Sequence, residues 1–460
     1  MNSFPSSAEQ FYELRDDRTN RCSDNRRYQN VACAVHMSPA AASTAAAHVM
    51  LVVAANLLSR WCRKVTIVMP TVEVHPAIGM GSGDLGEMVV AQMRDADPFG
   101  DFQTVTGGDA AAQVSLCIGE SQNRPSSATV FINASGWLAG ISHQGPINLP
   151  VCEDWNWLGA IAAACLGVAQ IFKIAVEMPS TLYLREGILD MFRLDWSQDS
   201  AQAPWPADLN VGTMLMVGAG SVGSSAAYCM RLGGLAGGIT VVDRDSVKIE
   251  NFNRSPIFGR RTLGLLKADA VANFLADSAL STKAAPLWWN DFLGQRGRSS
   301  FDFDIWLPLA NEFGVRRAMQ HNVPPVMIHA STTSNWGVNH GRHIPGRDDC
   351  LLDRFPDEVS AASLTCATGQ VTTSDTAIDA ALPFASLFAG LLIAVDLVRA
   401  RLPEYPQVPN FALYDWYGPL DTIQAWDRRP RPGCICREQG HDFHERLNGN
   451  TKYRGLFRFP

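Results

Sequence analysis

Short apolar runs alternate with longer apolar segments along the first part of the chain. Runs rich in Val, Ile and Cys predict strands over residues 31–36, 65–69, 113–118 and 129–133. Two alanine-rich segments, 41–62 and 157–176, have the length and composition of buried helices. Strands that alternate with helices are typical of a parallel sheet. The first part of the chain is therefore predicted to be an α/β domain.

The alternation resumes after residues 197–207, a polar, proline-containing stretch that predicts a linker. Further strands are predicted over 214–217, 239–242, 303–307 and 326–330. A region rich in Gly, Asn and Asp follows at 331–375, and the apolar segment 380–398 predicts a core helix. The sequence thus predicts two α/β domains, 1–196 and 208–460.

Composition and charge exclude several classes of protein. The 460 residues carry a formal charge of -7, and this lack of basic excess argues against a nucleic-acid partner. The eleven cysteines are odd in number and scattered, which predicts reduced thiols in a cytoplasmic protein. No basic-then-apolar signal peptide opens the chain. Ser43, His48 and Asn56 interrupt the first apolar helix, so no membrane span is predicted.

A glycine-rich turn follows the apolar run 214–217. Gly218, Gly220 and Gly223 let the backbone approach a phosphate, and the following helix directs its positive N-terminus at the ligand. Asp243 ends the next predicted strand about twenty residues later, where a carboxylate can bind a ribose hydroxyl. This turn alone is equally compatible with a nicotinamide or flavin site.

Four polar residues after Asp243 change that interpretation. Asp245, Asn251, Arg254 and Lys267 all lie within about one βα unit of it. Arginine offsets phosphate charge with a planar fork of donors, and lysine offsets it as a point charge. The set fits a triphosphate and its Mg²⁺ better than it fits a nicotinamide. Taken singly, Arg254 or Lys267 would be a solvated surface charge.

In order, these residues give the pattern Gly-x-Gly-x-x-Gly, then Asp-x-Asp-x-Val-x-x-x-Asn-x-x-Arg, then Lys. The pattern resembles the adenylation domain of the ThiF/MoeB and ubiquitin-activating (E1-like) enzyme superfamily. The resemblance implies that Asp243 holds the ribose of ATP, while Asn251, Arg254 and Lys267 hold its phosphates. It also implies that the product is an acyl-adenylate on the C-terminal glycine of a protein.

Larger members of this superfamily fuse an inactive adenylation-like domain to an active one. The resemblance implies two Rossmann-like ThiF-type domains in a pseudo-dimer, inactive over 1–196 and active over 208–460. An unrelated partner-binding α/β domain is the alternative for the first half, and pairing of two chains into a homodimer stays open. In relatives an arginine from the opposing subunit reaches ATP. Of Arg15, Arg18 and Arg21, Arg18 is the predicted residue.

One position departs from the pattern of the superfamily. Relatives carry an Asp-Asn pair after the strand equivalent to 303–307, and the Asp is a magnesium ligand. This chain has Ala310, Asn311 and Glu312 there. Asn311 or Glu312 is predicted to substitute, because hard cations need oxygen ligands, and Asp245 is a further candidate.

Two groups of cysteines are candidates for chemistry. Cys366 lies in the region that resembles the crossover loop of relatives, about 331–375, and the resemblance implies that it accepts the modifier as a thioester. A structural cysteine is the alternative. Cys350, Cys434 and Cys436 resemble an incomplete four-cysteine zinc site. Candidate fourth ligands are Asp353, His441 and His444, and loss of the metal is the alternative.

The resemblance is strongest to the bacterial activating enzymes of ubiquitin-like conjugation operons, which serve in antiphage defence. It implies that Mg-ATP adenylates the C-terminal glycine of a ubiquitin-like protein, that Cys366 captures the product, and that a conjugating enzyme receives it. A sulfur-carrier adenylyltransferase of the thiamine or molybdopterin type is the second possibility. A non-catalytic scaffold that binds nucleotide or modifier is the third, because Ala310 stands where a carboxylate is expected.

Overall fold

The computed structural model contains two eight-stranded sheets, one in each half of the chain. The residues that the structure describes are 4–22, 26–107, 110–119, 125–150, 152, 155–197, 203–296, 303–310, 313–322, 324–333, 336–354, 382–402, 409–421, 423–434 and 436.

The first sheet has the order β3-β2-β1-β4-β5-β6-β7-β8. Its strands are β1 Ala32–Met37, β2 Lys64–Val68, β3 Asp101–Val105, β4 Val114–Ile118, β5 Ala128–Ser135, β6 Leu138–Ser142, β7 Gly187–Asp190 and β8 Asp195–Ser197. The helices of this half are α1 Ala8–Asp16, α2 Ala45–Ser59, α3 Leu85–Ala96 and α4 Leu158–Ala175. The first five strands are parallel and the last three run antiparallel.

The second sheet repeats this topology, with the order β11-β10-β9-β12-β13-β14-β15-β16. Its strands are β9 Asn210–Val217, β10 Ala236–Val242, β11 Leu280–Ala285, β12 Ile305–Pro308, β13 Met327–Thr332, β14 Gly337–His343, β15 Phe411–Asp415 and β16 Gln424–Trp426. Its helices are α5 Ser221–Leu232, α6 Lys267–Leu275, α7 Trp289–Arg296, α8 Phe313–His321, α9 Leu351–Arg354 and α10 Pro383–Arg399. The predicted pair of Rossmann-like domains is confirmed.

Equivalent helices join the two halves. Helix α4 lies between β6 and β7 along the chain and α10 lies between β14 and β15, and the two helices pack against each other. Phe172 of α4 contacts the rings of Trp336 and Phe384, with centroids 5.6 and 5.8 Å away. By length and composition α4 could cross a membrane, but 94% of it is buried inside the protein. The two domains thus form a pseudo-dimer around a shared apolar core.

The region 331–375 contains a strand as well as loop. Strand β14 pairs antiparallel with both β13 and β15, and all seven of its residues are buried. It carries two glycines, Asn339, His340, Arg342 and His343, so it has little apolar character for a pattern to detect. Its charge is paired internally, since Arg342 donates to Asp348 at 3.0 Å. Strands β15 and β16 likewise occupy a stretch without a predicted element.

Candidate active site

A cavity of about 560 Å³ lies at the carboxyl-terminal edge of the second sheet. Such an edge is where open α/β sheets bind ligands. Its lining includes residues at or after the carboxyl ends of five strands, β9 to β13, together with one residue from the first domain: Arg18, Gly218, Gly220, Ser221, Asp243, Arg244, Asp245, Lys248, Glu250, Asn251, Arg254, Lys267, Trp288, Ala310 and Thr332.

The glycine turn shapes the floor of the cavity. Gly218 has φ +100°, and a side chain there would collide with the backbone of Leu309 and Ala310. Gly220 caps the N-terminus of α5 without a side-chain hydrogen bond, and a side chain at this position would point into open space. Gly223 lies outside the lining, where a side chain would meet the carbonyl of Gly218. Two of the predicted glycines therefore border the cavity, and the third lets α5 pack closely on the turn.

Asp243 holds the turn in place. Its Oδ2 accepts a hydrogen bond from the Ala219 amide at 2.7 Å, and its Oδ1 accepts one from the Asp245 amide at 2.9 Å. Burial raises the pKa of Asp243, and the positive charge of Lys267 acts in the opposite direction. Both carboxylate oxygens of the predicted ribose-binding residue therefore accept backbone amides of the turn, and the ribose role stays a prediction.

Three cationic or amide groups surround the space above the turn. Lys267, the first residue of α6, pairs with Asp245 at 3.0 Å. Arg254 donates to the Glu250 carbonyl at 2.6 Å and to Asn253 Oδ1 at 2.8 Å. Asn251 Oδ1 accepts the Lys248 amide at 2.9 Å. The predicted phosphate-binding residues therefore meet in one cavity, while their roles stay predictions.

Arg18 reaches this cavity from the first domain, just after α1. Arg15 is fully buried and pairs with Asp16 at 2.6 Å and Asp97 at 2.5 Å. Arg21 pairs with Asp17 at 2.9 Å. Of the three candidate arginines, Arg18 is the one that lines the cavity, so the pseudo-dimer brings it to the predicted site within one chain.

Several predicted residues lie outside the described part of the chain. These are Asn311, Glu312, Cys366, His441, His444 and the side chain of Asp353. Ala310 is described and lines the cavity directly beside Gly218. Its carbonyl accepts a hydrogen bond from Arg316 Nε at 2.7 Å.

The cavity also contains a pair that sequence reasoning missed. The guanidinium carbon of Arg244 lies 3.3 Å from the ring centroid of Trp288. Trp288 is 50% exposed although it is a large aromatic side chain. It follows the carboxyl end of β11, and all parallel strands end at the same edge of the sheet. That rule would have located Trp288 only if β11 had been predicted, and no strand was predicted over Leu280–Ala285.

The three candidate zinc ligands lie together. The sulfur atoms of Cys350, Cys434 and Cys436 are within 4.8 Å of one another, and all three residues are buried. The Gln320 amide donates to Cys436 Sγ at 3.2 Å. Three convergent thiols fit a cation of the zinc class, with a hydrogen-bond donor that orients one of them. The ten cysteines of the described residues are all thiols.

Comparison with known proteins agrees with the resemblance that the motif gave. Residues 207–417 match the ThiF family. Residues 32–183 match the BilD N-terminal domain. The second domain is thus similar to the ThiF family, and the first is similar to the BilD N-terminal domain.

Individual relatives are more distant. The uncharacterized protein y4jF of Sinorhizobium fredii is 30% identical over 197 residues, which cover 41% of this chain and 37% of that relative. Crystal structures of E. coli MccB are also similar. The complex with succinimide gives a TM-score of 0.37 at 15% identity, and the complex with AMPCPP and MccA gives 0.38 at 16%. Each comparison covers 49% of this chain and 66% of MccB.

Proposed function

We propose that this protein activates a ubiquitin-like protein with ATP. The cavity binds Mg-ATP, adenylates the C-terminal glycine of the modifier, and passes the acyl group to Cys366 as a thioester. A conjugating enzyme then accepts the modifier. The match of residues 32–183 to the BilD N-terminal domain supports a place in a bacterial antiphage pathway. The thiols of the described cysteines are compatible with a cytoplasmic location.

One observation carries the proposal: a single cavity gathers Arg18, Asp243, Asn251, Arg254 and Lys267 around a glycine turn. Phosphate recognition needs donors with positive charge and backbone that a ligand can approach closely. The cavity offers both, and it draws them from both domains. This arrangement suits a triphosphate, whose charge a single cation would offset only in part.

The proposed reaction has two steps. A carboxylate oxygen of the modifier attacks the α-phosphorus of ATP, and pyrophosphate leaves. The Cys366 thiolate then attacks the acyl carbon, a thioester forms, and AMP leaves. Arg18, Arg254 and Lys267 offset negative charge on the phosphates as it shifts toward the leaving group. Mg²⁺ would offset further charge, and Asp245, which pairs with Lys267 at 3.0 Å, is a described carboxylate that would hold it.

Exchange of labelled pyrophosphate into ATP tests the first step. The reaction is run with a ubiquitin-like protein that ends in glycine and is encoded beside this gene. We expect Lys267→Ala to lower the exchange rate at least about 100-fold, because a cation that offsets transition-state charge is lost. Lys283→Ala removes an exposed lysine from β11 and is the matched control. Equal rates in both variants would contradict the phosphate assignment.

The second step predicts an adduct that reducing agents release. A non-reducing gel of protein, ATP and modifier should show this adduct in the wild type and not in Cys366→Ala. Cys152→Ala is the control, because Cys152 is a partly exposed thiol of the first domain. An adduct that persists in Cys366→Ala would assign the nucleophile to another cysteine.

Two other functions remain candidates. Ala310, beside the turn, favours a scaffold that binds nucleotide without turnover. In that case ATP binds but no exchange occurs with any modifier. A sulfur-carrier adenylyltransferase would exchange pyrophosphate with a sulfur carrier, and it would form no Cys366 thioester. The exchange and adduct experiments therefore separate all three functions.

The cluster of Cys350, Cys434 and Cys436 is proposed to hold a structural zinc ion. Elemental analysis of the purified protein should find zinc in stoichiometric amount, and Cys350→Ser should lower both the zinc content and the unfolding temperature. Unchanged zinc content in Cys350→Ser would overturn the assignment.

A further inference from the structure

Residues 250–262 form the segment that carries Asn251 and Arg254, and this segment lies against the first domain along its length. Asn253 is fully buried and donates to Thr19 Oγ1 at 3.2 Å. A side chain at Gly259 would collide with Asp95 at the end of α3. Asp95 Oδ1 also accepts the Arg261 amide at 2.9 Å. The first domain therefore contacts the segment near its start and near its end.

The centre of the segment is held by one buried arginine. Arg60, the residue after α2, is 2% exposed. Its Nη1 donates to the Phe252 and Phe258 carbonyls at 2.7 and 2.6 Å, and its Nη2 donates to the Pro256 carbonyl at 2.7 Å. A planar guanidinium thereby fixes three carbonyl oxygens at once, which a lysine could not do with the same geometry.

Asn56, one turn earlier in α2, holds the guanidinium. Its Oδ1 accepts from Arg60 Nε at 3.1 Å, and its Nδ2 donates to the Pro256 carbonyl at 2.9 Å. Burial lowers the pKa of Arg60 to about 9, so the guanidinium is still protonated at neutral pH. Without Arg60, the Phe252 and Phe258 carbonyls would lose the donor that Arg60 supplies, and an unpaired buried acceptor is costly.

We propose that Arg60 is a positioning residue for the nucleotide. Through its bonds to residues 252, 256 and 258, and with Asn56 as its support, it sets the segment so that Asn251 and Arg254 face the triphosphate. The inference rests on the proposed function, in which the cavity binds ATP. In this inference the first domain supplies Arg18 to the cavity and also positions the segment 250–262.

The pseudo-symmetry of the molecule provides a matched control. Arg231, near the end of the equivalent helix α5, donates to the Gly79 carbonyl at 3.2 Å and to the Phe274 carbonyl. Gly79 lies in the segment after β2, which is the counterpart in the first domain of the segment after β10. Arg231 thus makes a single hydrogen bond to the equivalent segment of the first domain, and it lies outside the lining of the cavity.

The experiment measures ATP binding by calorimetry, without modifier, in the wild type, Arg60→Met and Arg231→Met. We expect Arg60→Met to raise the Kd for ATP at least about tenfold, because the segment loses its fixed geometry. Arg231→Met should stay within about twofold of the wild type, although both variants lower the unfolding temperature. Arg60→Lys keeps the charge and should recover part of the affinity.

Hydrogen exchange of residues 250–262 gives a second readout, because it reports the order of the segment directly. Exchange should be faster in Arg60→Met and should slow again with saturating ATP. If Arg60→Met does not fold, Asn56→Ala replaces it, with an expected rise in Kd of about threefold to tenfold.

Each outcome has a distinct meaning. Wild-type Kd in the folded Arg60 or Asn56 variant would overturn the inference, and so would an equal loss in Arg231→Met, since that would indicate general destabilisation. Failure of the wild type itself to bind ATP would overturn the proposed function, and with it this inference.

Discussion

The two domains share one strand order, but the chain that follows the central strand differs between them. After β9 the chain turns through Gly218, and the N-cap of α5 is Gly220, which makes no side-chain cap. After β1 the N-cap of the equivalent helix α2 is Thr44, whose hydroxyl accepts the Ala47 amide at 3.3 Å. In the second domain a ligand can take the place that a side chain takes in the first.

Two further features fill the space at the carboxyl edge of β1 in the first domain. Ser38 Oγ accepts the Ala41 amide at 3.2 Å, directly after β1. A side chain at Gly119, after β4, would collide with Ala41. The chain after β2 begins with buried Met69, where the chain after β10 has Asp243. The first domain therefore keeps the fold and lacks both the open turn and the acid of the second.

The carboxyl edge of a Rossmann-like sheet is therefore not sufficient by itself to form a binding site. Binding depends on backbone donors left open and on charges placed nearby. In the first domain, the backbone amides of Ala41 and Ala47 bind side chains of the same domain. This domain supplies Arg18 to the cavity of the second domain.

The largest expected effect comes from the glycines of the two turns. Gly218→Val should weaken ATP binding at least about 100-fold, because the residue has φ +100° and its side chain would enter the backbone of Leu309 and Ala310. Gly119 has φ +82° and a similar collision with Ala41. Gly119→Val should cost stability without changing the Kd for ATP, as measured by calorimetry beside urea unfolding. If both variants lose ATP equally, the comparison between the domains is wrong.

The glycine turn and the α/β class of each half were predictable because their signals are local. Gly218 and Asp243 are separated by one βα unit, and the alternation of apolar segments repeats in each half. Strand β14 was not predictable in this way, since its polar residues are buried partly through pairing with β15, which is distant in sequence.

Contacts between the domains were predictable only by analogy or not at all. Arg18 was chosen from three arginines by resemblance, and Arg60 gave no signal, because its partners lie 192 to 198 residues away. Trp288 was missed because β11, the strand it follows, was not predicted. The sequence indicates which residues could bind ATP, whereas the packing of the halves determines how they are held.

Trp288 offers a smaller test of the same comparison. It follows β11, whereas Thr106 and Gly107 follow the equivalent strand β3. An exposed indole beside Arg244 suits stacking with the adenine base, and such stacking contributes about 1–3 kcal/mol. Trp288→Ala should therefore raise the KM for ATP about tenfold in the exchange assay with little change in kcat.

Trp155→Ala is the matched control for Trp288→Ala, because Trp155 is 68% exposed in the first domain. It should leave the KM unchanged. A Trp288→Ala variant with wild-type KM would place the base elsewhere in the cavity.

The smallest expected effect is a pH dependence in the stability of the first domain. His48 of α2 donates from Nε2 to the Ala42 carbonyl at 2.7 Å and accepts the His75 amide on Nδ1 at 3.1 Å, so the ring is neutral. Burial lowers the pKa of His48 below its ordinary value of 6.5. The folded state thus resists protonation that the unfolded chain accepts, and stability present above pH 6.5 is lost as the pH falls.

Urea unfolding at pH 7.5, 6.5 and 5.5 measures this loss, whose slope is at most about 1.4 kcal/mol per pH unit for one group. Other groups titrate over the same range, so the informative quantity is the difference between the wild type and His48→Gln. Gln cannot be protonated, and its amide can both donate and accept. The variant should therefore lose less stability on acidification than the wild type does. Equal losses would mean that His48 does not make the stability of the first domain depend on pH. The hydrogen bonds of Ser38 and Thr44 would then be the contacts that hold the turn after β1.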